Sequence, residues 1–412
     1  MTQTNNKEEP EKESLRDIYH AVASGEFNEA LIFAIKYKHE EIALSLIEKG
    51  ADVQSKKGSE EAIHFAAEKG STKVVLALIN RGANINAEGF IGTTPLHKAI
   101  RHGHTELALT LIDKGADIYA TGVGDTPLDV AVQYDNMEVA KVLIKKCSYF
   151  KKHAYLNREE YPHIGVLHIA AAHGNVEMLH LLMKNGADVH LKSVKDKNTP
   201  LHHAAAFGRT EVARILLEKG ADVDARNEYQ QTPLFISAEK GHAEISRLFI
   251  ENGADVNAKD NYQDPVLLTP AHYGYVDVVS LLVKNGVDVD DCYDKSLWRA
   301  YGNIGRNGCK NVVLILIENG ADVHKRVHNG DTLLHHAVRD NETEIALALV
   351  EKGANIYAKN NAQKTPLGIA TEKGSTQLVQ AMEERVRNYK KPPPVRQEDI
   401  LAMIQEMGNS HS

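Results

Sequence analysis

The chain has 412 residues, a formal net charge of −8, 42% hydrophobic and 25% charged residues, and only three cysteines. A mild acidic excess disfavours nucleic acid as a partner, and no apolar run approaches the roughly 20 residues of a membrane helix, so membrane insertion is disfavoured as well. Cys147, Cys292 and Cys309 form no CxxC pair and leave an odd count, which points to a reducing compartment.

Taken in order, residues 1–14 (MTQTNNKEEPEKES) are polar and acidic without an apolar core, so they read as a disordered tail and not as a secretory signal. A cytoplasmic location follows by default, with export by a route that needs no cleaved signal left open. Residues 15–147 begin with a helix over Leu15–Ala23. A helix pair over Asn28–Tyr37 and Glu40–Glu48 then forms an N-terminal cap. The next helix pairs run from Gly58 to Asn80, from Thr94 to Asp113, and from Asp125-Thr126-Pro127-Leu128 to Cys147. Residues 148–165 (SYFKKHAYLNREEYPHIG) are an insert carrying Lys151, Lys152 and Arg158 beside Tyr149, Phe150, Tyr155 and Tyr161. Two readings of it stand: a basic, aromatic recognition loop, or a lengthened hairpin whose rings pack back on neighbouring helices.

Residues 166–389 resume the pattern, which degrades over 263–310. There Pro265-Val266-Leu267-Leu268 with Pro270, and Arg299-Ala300-Tyr301-Gly302 with Gly305, replace the usual opening. Pro270 is expected to remove a helical hydrogen bond and Gly302 with Gly305 to weaken a helix, making Leu267–Arg306 the least stable interior section and a candidate hinge. The lone Trp298 is assigned to packing. The last pair, Thr365–Tyr389, reads as a C-terminal cap. Residues 390–412 add the proline-rich KKPPP and a short amphipathic stretch through Ile400, Leu401, Ile404 and Met407.

The repeating text is clearest from Thr199 to Asp222, TPLHHAAAFGRTEVARILLEKGAD. Thr199 can cap a helix whose first residue, Pro200, loses no hydrogen bond there. Gly208 turns the chain, and Val212, Ile215, Leu216 and Leu217 give a second helix its apolar stripe. Gly220 ends that helix. One such pair cannot cover its own apolar face and must stack on the next copy. The terminal glycines at 50, 82, 115, 186, 220, 253, 286, 320 and 353 are spaced by 32, 33, 71, 34, 33, 33, 34 and 33 residues, and the long step hides the copy that ends at Cys147. His168 lies 39 residues beyond Asp129, about six more than the period.

Thr-Pro-Leu-His, paired alanines, Gly-Ala-Asp and a period near 33 resemble the ankyrin repeat. The resemblance covers about nine tenths of the chain and implies an all-α solenoid of about ten to eleven helix-turn-helix units with hairpin tips. It also implies a structural role for His97, His168, His202 and His335 in joining the opening turns of neighbouring repeats. No P-loop, HExxH or GxSxG sequence occurs, the His202-His203 and His335-His336 pairs diverge on a helix, and no cofactor, metal or catalytic residue is expected.

What the family pattern implies instead is a non-enzymatic scaffold, monomeric, that binds protein partners on a concave face. The alternative is a targeting subunit or secreted effector whose terminal segment recruits an enzyme. Carried over, the first-helix contacts are Arg101, His102, Tyr134, His173 and Phe207, followed by Lys240, His272, Tyr273 and Arg339. The hairpin-tip contacts are Phe90, Ile91, Arg226 and Tyr229, with Lys259, Tyr262, Arg326 and His328 further on. His102, Tyr134, His173, Phe207 and Tyr273 share the position just before the helix-ending glycine, so they form either a binding ladder or padding between helices.

Overall fold

The computed structural model describes residues 8–122, 124–147, 149–158, 164–290, 296–305 and 308–389. It divides into two compact units, Met1–Pro233 and Leu234–Ser412. Both are stacks of paired helices. In the first unit, helices Glu8–Ala23, Phe27–Lys36 and Glu40–Glu48 precede the pairs Ala62–Lys69 with Thr72–Asn80, Pro95–Arg101 with Thr105–Asp113, and Pro127–Gln133 with Met137–Lys146. After an extra helix, Tyr149–Leu156, come Val166–His173 with Val176–Lys184 and Pro200–Ala206 with Thr210–Glu218. The second unit holds Pro233–Glu239 with Ala243–Glu251, Leu268–Tyr273 with Val276–Lys284, Ser296–Gly302 with Cys309–Glu318, Leu333–Arg339 with Thr343–Glu351, and Pro366–Glu372 with Thr376–Tyr389. Among the described residues strand is confined to short hairpin tips, such as Lys56–Lys57 paired antiparallel with Glu60–Glu61.

The opening motif works as its chemistry dictates. At Thr94, Thr199 and Thr332 the hydroxyl and backbone cap the helix while the histidine three residues on reaches back, a reciprocal box. The histidine Nδ1 accepts the backbone N–H of Thr94 at 3.2 Å, of Thr199 at 3.1 Å and of Thr332 at 3.0 Å. Its Nε2 then donates to a carbonyl of the following turn: Asp125 at 3.0 Å for His97, Gln231 at 3.1 Å for His202 and Lys364 at 3.2 Å for His335. His64, hidden in the divergent opening Ala62-Ile63-His64-Phe65, does the same from Glu61 N–H (3.0 Å) to Ala87 O (2.9 Å). Second helices supply the apolar seal. Thr210–Glu218 buries Val212, Ala213, Ile215 and Leu216, and each large aliphatic side chain among them contributes about 1.5–3 kcal/mol.

Several expectations are corrected. Residues 8–14 are helical, since the first helix begins at Glu8 and not at Leu15; residues 1–7, like the proline-rich and amphipathic stretches of 390–412, lie outside the described residues. The insert is not an open loop, because residues 149–156 form a helix. Pro270 breaks nothing. The helix there starts two residues late, at Leu268, so Pro270 is its third residue, where the backbone N–H has no intrahelical acceptor to lose. The degenerate section accordingly still forms two helix pairs.

The insert is spliced into the stack by its own side chains. Tyr155 is buried, donates its hydroxyl to Ile118 O at 2.7 Å and meets Tyr119 edge-on at 5.1 Å. Asn157 donates to Gly186 O (3.0 Å) and accepts the Asp188 N–H (2.8 Å). Asn86 makes the same acceptor bond to the Asp117 N–H (2.8 Å), so Asn157 restores the register that the extra residues would shift. At the motif-histidine position of the preceding repeat stands Asp129. Its Oδ2 accepts the Thr126 N–H and Oγ–H, both at 2.7 Å, and Arg158 of the insert at 3.3 Å. Burial pushes the Asp129 carboxyl up, opposed by Thr126 and Arg158.

Candidate protein-binding surface

The residue that closes each first helix sits at its C-cap, and the next residue turns into the left-handed region: Asp135 at φ 56° after Tyr134 and Gly208 at φ 64° after Phe207. The cap side chain is thereby turned away from the stack, and Tyr134 and Phe207 remain 47% and 54% exposed. His173, at the same position of the repeat between them, is exposed, and its Nδ1 donates to Ile169 O at 2.9 Å. His102 is also exposed and stacks on His104 at 6.4 Å; burial, outweighing nearby Glu68, lowers its pKa.

Toward the N-terminus Tyr37, at the C-cap of Phe27–Lys36, is likewise exposed, while two rings inside their helices, before the cap position, are covered. Lys36 lies 4.3 Å over Phe65 and Lys57 lies 4.6 Å over Phe33. Lys98 closes the network on Glu60 (2.6 Å) and Glu68 (3.5 Å). Burial would raise the Glu68 carboxyl, but Lys69 and Lys98 hold it low. The open aromatic surface of the first unit includes Tyr37, Tyr134, Phe207 and the hairpin tips, where Tyr229 is 48% exposed and Phe90 and Ile91 stand out on a one-turn helix, Ile91 at φ 52°.

Other anticipated contacts are divided between surface and scaffold. Arg226 Nη1 donates to Gln230 O at 2.8 Å, and Arg326 Nη1 donates to Gly330 O (2.9 Å) and Lys359 O (2.6 Å), so both guanidinium groups hold tips together. Arg339 donates to the fully buried Asp331 carboxylate at 2.9 Å, and the Arg101 Nε is buried without a partner. Lys240 pairs with Glu239 at 3.1 Å. Lys259 bridges back to Pro265 at its tip, while Tyr262 is 74% exposed. Tyr273 is exposed yet lies edge-on to His272 at 4.8 Å and stacks on Tyr275 at 5.8 Å.

The structure brings Arg326 and His328 together with Trp298 and Val327 around a cavity of about 490 Å³. Trp298 also packs edge-on against His336 at 5.2 Å, so the indole serves packing, as its sequence context implies, and lines a surface cavity at once. The second role escapes the sequence because placement next to a tip follows from the repeat offset, which the degenerate motif conceals.

Among the described residues no group of three or more His, Cys, Asp or Glu side chains could hold a metal ion, and no helix is long and apolar enough to cross a membrane. The family model for ankyrin repeats (3 copies) matches residues 15–89, 63–154, 167–260, 224–293 and 303–388. No curated protein matches the chain. Among solved structures, the human ASB11 ankyrin repeat domain is similar, with 24% identity, 56% of this chain and 99% of that chain covered, and a TM-score of 0.48. Ankyrin repeats generally mediate protein–protein interaction and are typically non-enzymatic. With its family model matched across nearly the whole described chain and its opening turns joined by histidine bridges, the chain belongs to the ankyrin-repeat family.

Proposed function

We propose that the protein is a non-enzymatic scaffold that captures a partner protein on the first-helix C-cap rings and adjoining tips of its first unit. One observation carries this reading: Tyr134 and Phe207, the C-cap residues of their first helices, keep about half their surface in water at equivalent positions of the stack. Large rings exposed at a repeated position are the side chains that most often dominate interface energies.

Recovery of the partner with residues 14–389 as bait comes first, followed by affinity measurements on variants. Tyr134→Ala and Phe207→Ala are each expected to weaken binding by about 2 kcal/mol, roughly a 30-fold rise in Kd. The melting temperature should hardly move, since neither ring is enclosed. Unchanged affinity with a large thermal loss would make the rings a packing feature.

A further inference from the structure

One histidine bridge in the first unit differs from the others. His168 donates Nε2–H to Asn198 O at 3.0 Å as its counterparts do, but three residues before it stands Gly165 where the others have threonine or glutamate. No cap hydroxyl is available, and the buried Nδ1 of His168 has no hydrogen-bond partner. The position is crowded as well, because a Cβ on Gly165 would come within 2.8 Å of the Leu191 Cδ2 methyl and 3.2 Å of that Nδ1. Against His168 stands the His203 ring, edge-on at 5.4 Å and 86°, and its Nε2 is also buried without a partner.

We propose that the His168–His203 contact is a proton-operated latch: proton uptake by the two facing imidazoles opens the junction between helices Val166–His173 and Pro200–Ala206 and frees the turn at 193–198. A buried imidazolium is costly unless a counter-charge reaches it. The facing carboxylate is Asp196, which is committed to the Ser193 hydroxyl and, at 2.6 Å, to the Asn198 side-chain amide. Drawing Asp196 toward a charged His203 would undo that turn. Two further groups, His202 and Lys192, face the cluster and oppose added positive charge. Helix Pro127–Gln133, packed on the other side, offers only Asp129, already held by Arg158, and the ionisable groups of Val176–Lys184 and Thr210–Glu218 are exposed. Burial, then the neighbouring His203, lowers His168 from 6.5 to about 4, and burial lowers His203 as well.

The sign is fixed. Closed histidines stay neutral while opened ones take a proton near 6.5, so opening grows easier as pH falls below 6.5 and levels off near 4. At pH 5.5 His168 favours opening about tenfold, and His203, lowered by burial as well, adds to that in the same direction. Amide hydrogen exchange on the full chain at pH 7.5 and 5.5, corrected for intrinsic rates, should show that rise in residues 166–173 and 199–206. His203→Gln, which cannot titrate, should reduce the rise while leaving protection at pH 7.5 unchanged. Equal rises in wild type and His203→Gln would overturn the latch. Should that variant not fold, proton NMR of the wild type decides: His168 ring signals that titrate near 6.5 in the intact fold would overturn it, and signals that stay neutral to pH 5.5 would support it. His173 ends one latched helix and Phe207 caps the other, so loss of partner binding in acid rests on the binding surface proposed above; the exchange measurement does not, and the two readings fail separately.

Discussion

Arg158→Met tests whether the insert is joined to the stack through a charge pair that replaces a motif histidine. Removing one member of a buried ion pair typically costs about 3–5 kcal/mol. Here Arg158 approaches the Asp129 Oδ2 at 3.3 Å, and Thr126 keeps two bonds of 2.7 Å on the same Oδ2. The expected loss is therefore smaller, about 2–3 kcal/mol. Asp129→Asn keeps an acceptor for the Thr126 N–H, and with Arg158→Met it should cost less than the sum of the single changes by about 1–2 kcal/mol. Repeat arrays need not unfold in one step, and Trp298 lies in the second unit, so the readout is hydrogen exchange in helices Pro127–Gln133 and Val166–His173. Acid should soften the defect of the single variant. Burial already raises the Asp129 carboxyl above 3.8, so the folded state binds that proton more tightly than the unfolded chain, and the group's stabilisation is lost as pH rises through the raised value. Loss of Arg158 raises it further. Additive single changes, or a defect in Arg158→Met that is independent of pH between 3.8 and the raised value, would refute the charge-pair account.

Two further outcomes bear on the degenerate section. Gly302 has an ordinary φ and nothing within 4 Å of the place a Cβ would take, so Gly302→Ala should stabilise the second unit by about 0.5 kcal/mol in calorimetry; a loss would mean that the glycine answers a constraint on the backbone. Amides in Leu268–Tyr273 and Ser296–Gly302 should exchange faster than those of the pairs ending at Gly220 and Gly253, because neither helix opens with a threonine-proline cap. Equal protection would remove the hinge.

The repeat, its period, the capping threonines and the bridging histidines are legible in the residues alone, because each depends on contacts three or four residues apart or one repeat away. His97, His202 and His335 lie where that arithmetic puts them. The rest emerges only from packing. Whether a ring is bare or covered depends on what the adjacent repeat sets over it, and nothing local to Phe65 announces Lys36. The sequence leaves the insert open between a recognition loop and a hairpin that packs back, because its fit is made at long range, by Tyr155 on Ile118, Asn157 on Gly186 and Arg158 on Asp129. Pro270 reads as harmful because its cost depends on where the helix begins, and the packing of Leu268 moves that start by two residues. The orphaned nitrogen of His168 becomes visible only once the turn at Gly165, packed close to Leu191, is seen to offer it no partner.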